Sequence, residues 1–381
     1  MQNQVLARLV VFVLGVVAMS CGPVDSGPNV PRGTGGKTVD TGTGGRASTG
    51  SGGVDATGTG GAGPTGSGGS SPTETGGSSP TGSGGSSPTG SGGQGGGTGG
   101  SGDSTGDFWG GLKNPPRKSP GCDKPATITN GRKTIMSSGV ARDFVIFIPT
   151  DYDAAKPTRL IFGSHGLGGS AQDRSTTYFD LKPLTTAANV PVVFIAGQGL
   201  PGSSGQSTWG QNDLAFFDDV MTFVKDGLCI DTTRIFVTGM SMGGMYTYSL
   251  STVRQKAFRA GAGLSGTNRV LWTPAMKLTD PVAWMQTTGN TDTVAWVSNE
   301  AMMQGSKFIA LEKAANNGCT IPATVPFWTS GNHLCYDFVG CKPGYPVKAC
   351  SFKGGHIDVN RDPGSNVNWI AKESWDFFMQ F

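Results

Sequence analysis

Arg234-Ile-Phe-Val-Thr-Gly-Met-Ser-Met-Gly-Gly244 is the stretch on which the fold turns. Residues 234–238 form an apolar, β-branched run that reads as a buried strand, and residues 244–253 read as a helix. Between them Gly239-Met240-Ser241-Met242-Gly243 places a glycine two residues to either side of a serine. A serine on so sharp a strand-to-helix turn needs such neighbours, because glycine alone lets the backbones approach closely. The pattern is cheap in a chain with 64 glycines among 381 residues, and it recurs at Gly102-Asp103-Ser104-Thr105-Gly106. That copy has no strand before it and no helix after it. The flanks single out Ser241.

Outward from this turn the elements alternate. Residues 141–150, 159–164 and 191–196 read as strands, and residues 212–228 as a helix with Leu214, Phe217, Met221, Val224 and Leu228 on one face. After the turn come strands at 258–264, 283–288 and 347–352, and a helix over about 298–316. A last helix carries Ala371, Trp375, Phe378 and Met379 on one face. The rhythm predicts an α/β fold: a mainly parallel central sheet with helices on both faces, in a single domain over residues 115–381.

The remainder of the chain is not globular in composition. Residues 22–107 are almost wholly Gly, Ser, Thr and Pro, with Gly-Gly-Ser-Ser-Pro-Thr recurring from positions 68, 76 and 84. Such a segment has too few apolar side chains to offset the entropy of ordering, so residues 21–114 are expected to act as a flexible tether. Residues 1–20 read as an export signal: Arg8, a short apolar core over 9–17, and Ala18-Met19-Ser20 as a cleavage site before Cys21. Ala18-Met19-Ser20-Cys21 also resembles a bacterial lipobox, which would anchor the chain to a membrane through Cys21 and nowhere else. The localisation expected is secreted or cell-surface lipoprotein.

Cysteine arithmetic fits that reading. Of seven cysteines, an acylated Cys21 leaves an even six, Cys122, Cys229, Cys319, Cys335, Cys341 and Cys350, as disulfide candidates whose pairing the sequence leaves open. The competing reading leaves Cys21 as a free or intermolecular thiol. A net charge of +3 without any Lys/Arg cluster excludes a nucleic-acid partner. Three scattered histidines offer no metal site, and Gly33-Thr-Gly-Gly-Lys37-Thr38 lacks the first glycine of a phosphate loop, Pro31 standing there. No metal or cofactor is expected.

A serine hydroxyl is a weak nucleophile. It needs a base beside it, a group to orient that base, and donors waiting for the oxyanion. After a strand-turn-helix serine the acid and then the histidine are expected in chain order, which excludes His165. His356, in Gly354-Gly355-His356 after a strand, is the candidate base; His333, beside Cys335, reads as a structural residue. Asp292 follows an apolar strand into a polar loop at the sheet's carboxyl edge, where sites gather. Asp280 falls at the wrong end of that strand, and Asp358 is too near His356. The oxyanion donors expected are the backbone N–H groups of Met242 and of Leu167, within His165-Gly166-Leu167-Gly168-Gly169.

Several stretches together carry a resemblance over nearly all of residues 120–381. They are Ser119-Pro-Gly-Cys122, Arg159-Leu-Ile-Phe-Gly-Ser-His-Gly166, Trp209-Gly-Gln-Asn-Asp-Leu-Ala-Phe-Phe-Asp218 and Leu228-Cys-Ile-Asp231, then Gly239-Met-Ser-Met-Gly-Gly244, Gly340-Cys-Lys-Pro-Gly-Tyr-Pro-Val347 and Gly354-Gly-His356. The domain resembles the esterase/polyhydroxybutyrate depolymerase family of α/β hydrolases, and most closely its bacterial feruloyl esterases. The resemblance implies a triad of Ser241, Asp292 and His356 and a serine carboxylesterase acting on hydroxycinnamoyl esters of plant cell-wall polysaccharide. Alternatives are a polyester or polyhydroxyalkanoate, or acetylated xylan, as substrate, and, in another class, a tethered carbohydrate-binding lipoprotein with an inactive core. Thr288-Gly289 stands where the family often has His-Gly, and Trp296 follows the acidic loop. Trp209 and Trp296 are expected to offer aromatic surface to a planar acyl group.

Overall fold

The computed structural model describes residues 111–269 and 279–381. The residues expected to form an export signal, nearly all of those expected to form a tether, Cys21 and the second Gly-x-Ser-x-Gly copy lie outside the described residues.

Nine strands form one sheet in the order β1-β2-β4-β3-β7-β8-β9-β11-β10. β3 (Thr158–Ser164), β4 (Val192–Gly197), β7 (Ile230–Met240), β8 (Ala260–Leu264), β9 (Ala283–Gly289) and β11 (Val347–Phe352) run parallel. β1 (Gly131–Ser137), β2 (Val140–Phe147) and β10 (Leu334–Asp337) add antiparallel pairs at the two edges. A two-residue hairpin, β5 (Leu200–Pro201) with β6 (Ser207–Thr208), stands apart from the sheet.

Side chains alternate across the strands, and both faces are covered. Ile161, Phe194 and Phe236 pack with α1 (Ala171–Thr177), α2 (Leu181–Ala188) and α6 (Trp369–Met379). Their neighbours Leu160, Phe162, Ile195, Ile235 and Val237 face α3 (Asp213–Gly227) and α4 (Met242–Val253). α5 (Ser306–Asn316) packs on that second face over β9 and β11 through Ala310, Ala314 and Val347, and Ile309 meets Tyr248 of α4 and Trp284 of β9. Two-sided burial is what continuous apolar runs such as Val193-Phe194-Ile195 require. The result is the α/β-hydrolase fold expected from the sequence.

Three elements depart from that expectation. The helix read over 298–316 starts at Ser306, because Asn299 and Gln304 pair across a tight turn just before Gly305. β1 and β10 carried no apolar signal, each being an edge strand with a largely exposed face. The six cysteines form Cys122–Cys229, Cys319–Cys341 and Cys335–Cys350. The last of these joins directly opposed residues of β10 and β11, which fastens that edge.

Candidate active site

β7 delivers Ser241 at the carboxyl edge of the sheet with φ 58° and ψ −120°, a conformation that costs a non-glycine residue about 1–3 kcal/mol. The strain persists because its surroundings fix it. Ser241 N–H donates to the Leu264 carbonyl of β8 at 2.9 Å, and its own carbonyl accepts from Met245 N–H at 2.9 Å. On the next turn a Cβ at Gly243 would stand 2.0 Å from the Ser164 carbonyl oxygen, so only glycine lets α4 start this close to the end of β3.

The acid and the histidine arrive on adjacent loops. β9 and β11 are parallel neighbours, with Gly289 paired to Phe352 in register, and the chain leaves both at the same edge. Beyond them the loops are fastened together. Asn290 N–H donates to the Phe352 carbonyl at 2.9 Å, and Asn290 Oδ1 accepts from Gly354 N–H at 3.1 Å. The Gly354 carbonyl accepts from both Thr291 N–H (2.9 Å) and Thr291 Oγ1 (2.8 Å). A Cβ at Gly289 would lie 2.2 Å from the Gly354 carbonyl oxygen, which shows how closely the loops run. Downstream of His356, the Ile357 carbonyl accepts from Ser265 Oγ at 2.8 Å and Asp358 pairs with Arg174.

This bracing brings Ser241, Asp292 and His356 together. His356 Nε2 lies 2.6 Å from Ser241 Oγ, and its Nδ1 lies 2.9 Å from Asp292 Oδ2. Asp292 Oδ1 accepts from the N–H groups of Val294 and Ala295 at 2.9 and 2.8 Å. Burial alone would push this carboxyl up, but the hydrogen bond to His356, those two N–H groups and the imidazole's charge hold it below its ordinary value. It therefore stays ionised against the imidazole. Such a line can draw the serine proton onto Nε2 while the carboxylate keeps Nδ1–H pointed away.

The loop expected to supply an oxyanion donor is built on His165. Its buried ring places Nδ1 2.7 Å from the Gly166 carbonyl, while Nε2 accepts from Gly199 N–H at 3.0 Å. These partners define a neutral ring with its proton on Nδ1, and burial lowers its pKa accordingly. The loop is also tied by Gly168 N–H to the Ser207 carbonyl of β6 at 2.8 Å. Leu167, half exposed, and Met242, the first residue of α4, have N–H groups with no backbone acceptor among the described residues. Free N–H groups at a helix start and in a glycine loop suit a developing oxyanion.

The two tryptophans separate. Trp209 is a correction: it is 2% exposed, stacks on Tyr246 with centroids 4.5 Å apart, and donates from Nε1 to the His165 carbonyl at 2.8 Å. It props the His165 loop from inside the core and offers no surface to an acyl group. Trp296 is half buried beside the Asp292 loop, with Arg269 5.1 Å above its ring. His333 pairs with Asp362 at 2.7 Å and stacks on Trp369, a structural role. His333, Cys335 and Glu373 come close enough to hold a cation, but Cys335 is committed to its disulfide.

Several known proteins are similar to this chain. A model of the prolyl oligopeptidase family matches residues 179–316. Feruloyl esterase D of Neurospora crassa is 32% identical over 276 residues, covering 69% of this chain and 90% of the relative. Feruloyl esterase C of Emericella nidulans is 34% identical over 277 residues, 68% of this chain and 91% of the relative. A solved ferulic acid esterase superposes at a TM-score of 0.42 with 13% identity, over 67% of this chain and 98% of its own. The chain is a carboxylic ester hydrolase of the α/β-hydrolase fold. It belongs to the family of these feruloyl esterases, whose members matched here are fungal where the motifs pointed to the bacterial branch.

Proposed function

We propose that this protein is an exported serine esterase that cleaves hydroxycinnamoyl esters of plant cell-wall polysaccharide through an acyl-enzyme. The observation that carries the reading is His356 bridging Ser241 at 2.6 Å and Asp292 at 2.9 Å, in a chain about a third identical to feruloyl esterases over nine-tenths of their length. Ser241 Oγ attacks the ester carbonyl carbon as its proton passes to His356 Nε2. Asp292 stabilises the imidazolium, and the N–H groups of Leu167 and Met242 receive the oxyanion. Collapse of the tetrahedral intermediate passes that proton to the sugar oxygen, leaving the acyl group on Ser241. Water, deprotonated by His356, then releases the acid and restores the serine. Trp296, beside Asp292, offers the aromatic surface for the planar acyl group.

Export is supported by the three disulfides, which persist in oxidising compartments. Mass spectrometry of the mature N-terminus tests the anchor, since an unmodified Cys21 contradicts it. For the chemistry, Ser241→Ala should lower hydrolysis of methyl ferulate by at least about a thousandfold with the thermal midpoint unchanged; full retained activity refutes the mechanism. A panel of methyl ferulate, acetylated xylan and a polyester film decides the ester class, and inactivity on methyl ferulate alone removes the hydroxycinnamoyl assignment.

A further inference from the structure

Between α1 and α2 three consecutive non-glycine residues, Tyr178, Phe179 and Asp180, have φ of 49°, 62° and 61°. Positive φ is an outlier for a bulky residue, and a run of such residues persists only where its surroundings fix it. The Tyr178 ring stacks on Phe194 with centroids 4.8 Å apart, and Tyr178 N–H donates to the Arg174 carbonyl at 2.8 Å. The Phe179 ring lies against β3, where a Cβ at Gly163 would stand 2.8 Å from it. Asp180 Oδ2 accepts from Asn368 Nδ2 at 2.9 Å. The outcome is a fixed Phe179 ring with the Arg174 guanidinium carbon 4.9 Å from its centroid.

Arg174 reaches from one segment of the candidate site to another. It lies in α1, which follows the Gly166–Gly169 loop directly. Ser170 caps that helix, and its carbonyl accepts from Arg174 N–H at 3.3 Å. The Arg174 guanidinium pairs with Asp358, two residues beyond His356, and the side chains are only 28% and 15% exposed. A pair so placed is screened less than one in open solvent. The other holds on the His356 loop come from elsewhere: Asn290 and Thr291 bind it at Gly354, and Ser265 binds it at Ile357. Those three residues follow β9 and β8, which lie on one side of β7 in the sheet, whereas α1 follows β3 on the other. The Arg174–Asp358 pair therefore spans the strand that delivers Ser241.

We infer that Arg174 is a positioning residue for the reaction: resting on Phe179 and gripping Asp358, it fixes His356 relative to the loop that bears Leu167. The inference rests on the triad mechanism proposed above. Proton transfer from Ser241 and stabilisation of the oxyanion serve one transition state, so the imidazole and the Leu167 N–H have to be held in one frame. A planar guanidinium suits the task, because its face stacks on a ring while its edge donates to a carboxylate; a lysine ammonium offers no such face.

The test combines steady-state kinetics on methyl ferulate with the rate at which a fluorophosphonate labels Ser241, a reaction that needs the activated serine but no particular ester. Arg174→Ala and Asp358→Asn should each lower kcat and the labelling rate about tenfold, with KM within about twofold of wild type. Arg174→Lys should fall between wild type and Arg174→Ala. Combining Arg174→Ala with Asp358→Asn should lose no more than either alone, since each breaks the same link. Thermal unfolding of each variant shows that it is folded at the assay temperature; Arg174→Lys and Asp358→Asn change little volume and decide the matter if Arg174→Ala does not fold. Unchanged kcat and labelling in the single variants overturn the inference. So does a loss that falls on KM, or a double variant whose loss is the product of the two single losses. A wild-type enzyme that neither labels nor turns over would refute the triad itself, whereas labelling without methyl ferulate turnover removes only the hydroxycinnamoyl ester.

Discussion

The hydrogen bond from Gly354 N–H to Asn290 Oδ1 sets how well His356 is aimed, and Asn290→Ala should expose it. The bond is 3.1 Å long, and both residues are half buried, so water can partly replace the lost acceptor. A bond of this kind contributes about 1 kcal/mol. In a domain of this size that is a fall of about 2–4 °C in the unfolding midpoint. The effect on rate should be larger. Gly354 is two residues from an imidazole whose Nε2 must stay near 2.6 Å from Ser241 Oγ, and a drift of about 1 Å can cost about a hundredfold. Neither Asn290 nor Gly354 belongs to the acyl-binding surface proposed above. The loss, between about tenfold and a hundredfold, should therefore fall on kcat with KM unchanged.

Asn290→Asp keeps an acceptor oxygen in place and should recover most of kcat. Steady-state kinetics on methyl ferulate, with thermal unfolding alongside, reads all of this. If Asn290→Ala loses stability but keeps kcat, or if the Ala and Asp variants lose kcat equally, the clamp does not position His356.

Other expectations follow from packing and charge. Gly243→Ala would put a methyl 2.0 Å from the Ser164 carbonyl oxygen, and should lower stability by about 3 kcal/mol and abolish turnover; wild-type behaviour in urea unfolding and ester assay contradicts the close approach. Replacing Cys122 and Cys229 by serine opens a loop of 107 residues, worth about 4.7 kcal/mol on loop entropy, against about 3 kcal/mol for the 15-residue Cys335–Cys350 loop. The reverse order in urea titrations would show that the edge hairpin depends more on its bridge than loop length allows. Native His165 is held neutral while the unfolded ring takes a proton near pH 6.5, so stability should fall as pH drops below about 6.5. Asp292, lowered in the fold, loses its contribution only further down, as pH falls through its folded value. His165→Gln should flatten the decline of the midpoint between about pH 6.5 and 5; an unchanged slope refutes that assignment.

What the sequence made legible follows from which physical demands leave a mark on residue type. Strands buried on both faces must be largely apolar, so β3, β4 and the Ile235-Phe236-Val237 run of β7 stood out, and the glycines around Ser241 stood out because a Cβ there would strike backbone. The edge strands β1 and β10 face solvent on one side, and β10 is cross-linked to β11 by Cys335–Cys350, a constraint that residue types alone do not localise. The loop clamp was invisible for another reason. Asn290 and Thr291 look like ordinary turn residues, and only the parallel pairing of β9 with β11 brings Gly354 within their reach.

Trp209 shows where reading residue type near a motif goes astray. An aromatic close to a catalytic serine can meet the substrate or hold the machinery, and the two roles place opposite demands on burial. Its indole N–H is used on the His165 carbonyl, and its face on Tyr246, which lies in the first turns of the α4 helix that Met242 begins. One side chain thereby links the loop bearing Leu167 to the helix bearing Met242, the two segments whose N–H groups are proposed to converge on one oxygen. Donors on separate segments stabilise an oxyanion only if their separation is fixed before the charge develops. In the proposed mechanism Trp209 would supply that fixity from the core, a role that requires the burial removing it from the substrate's reach.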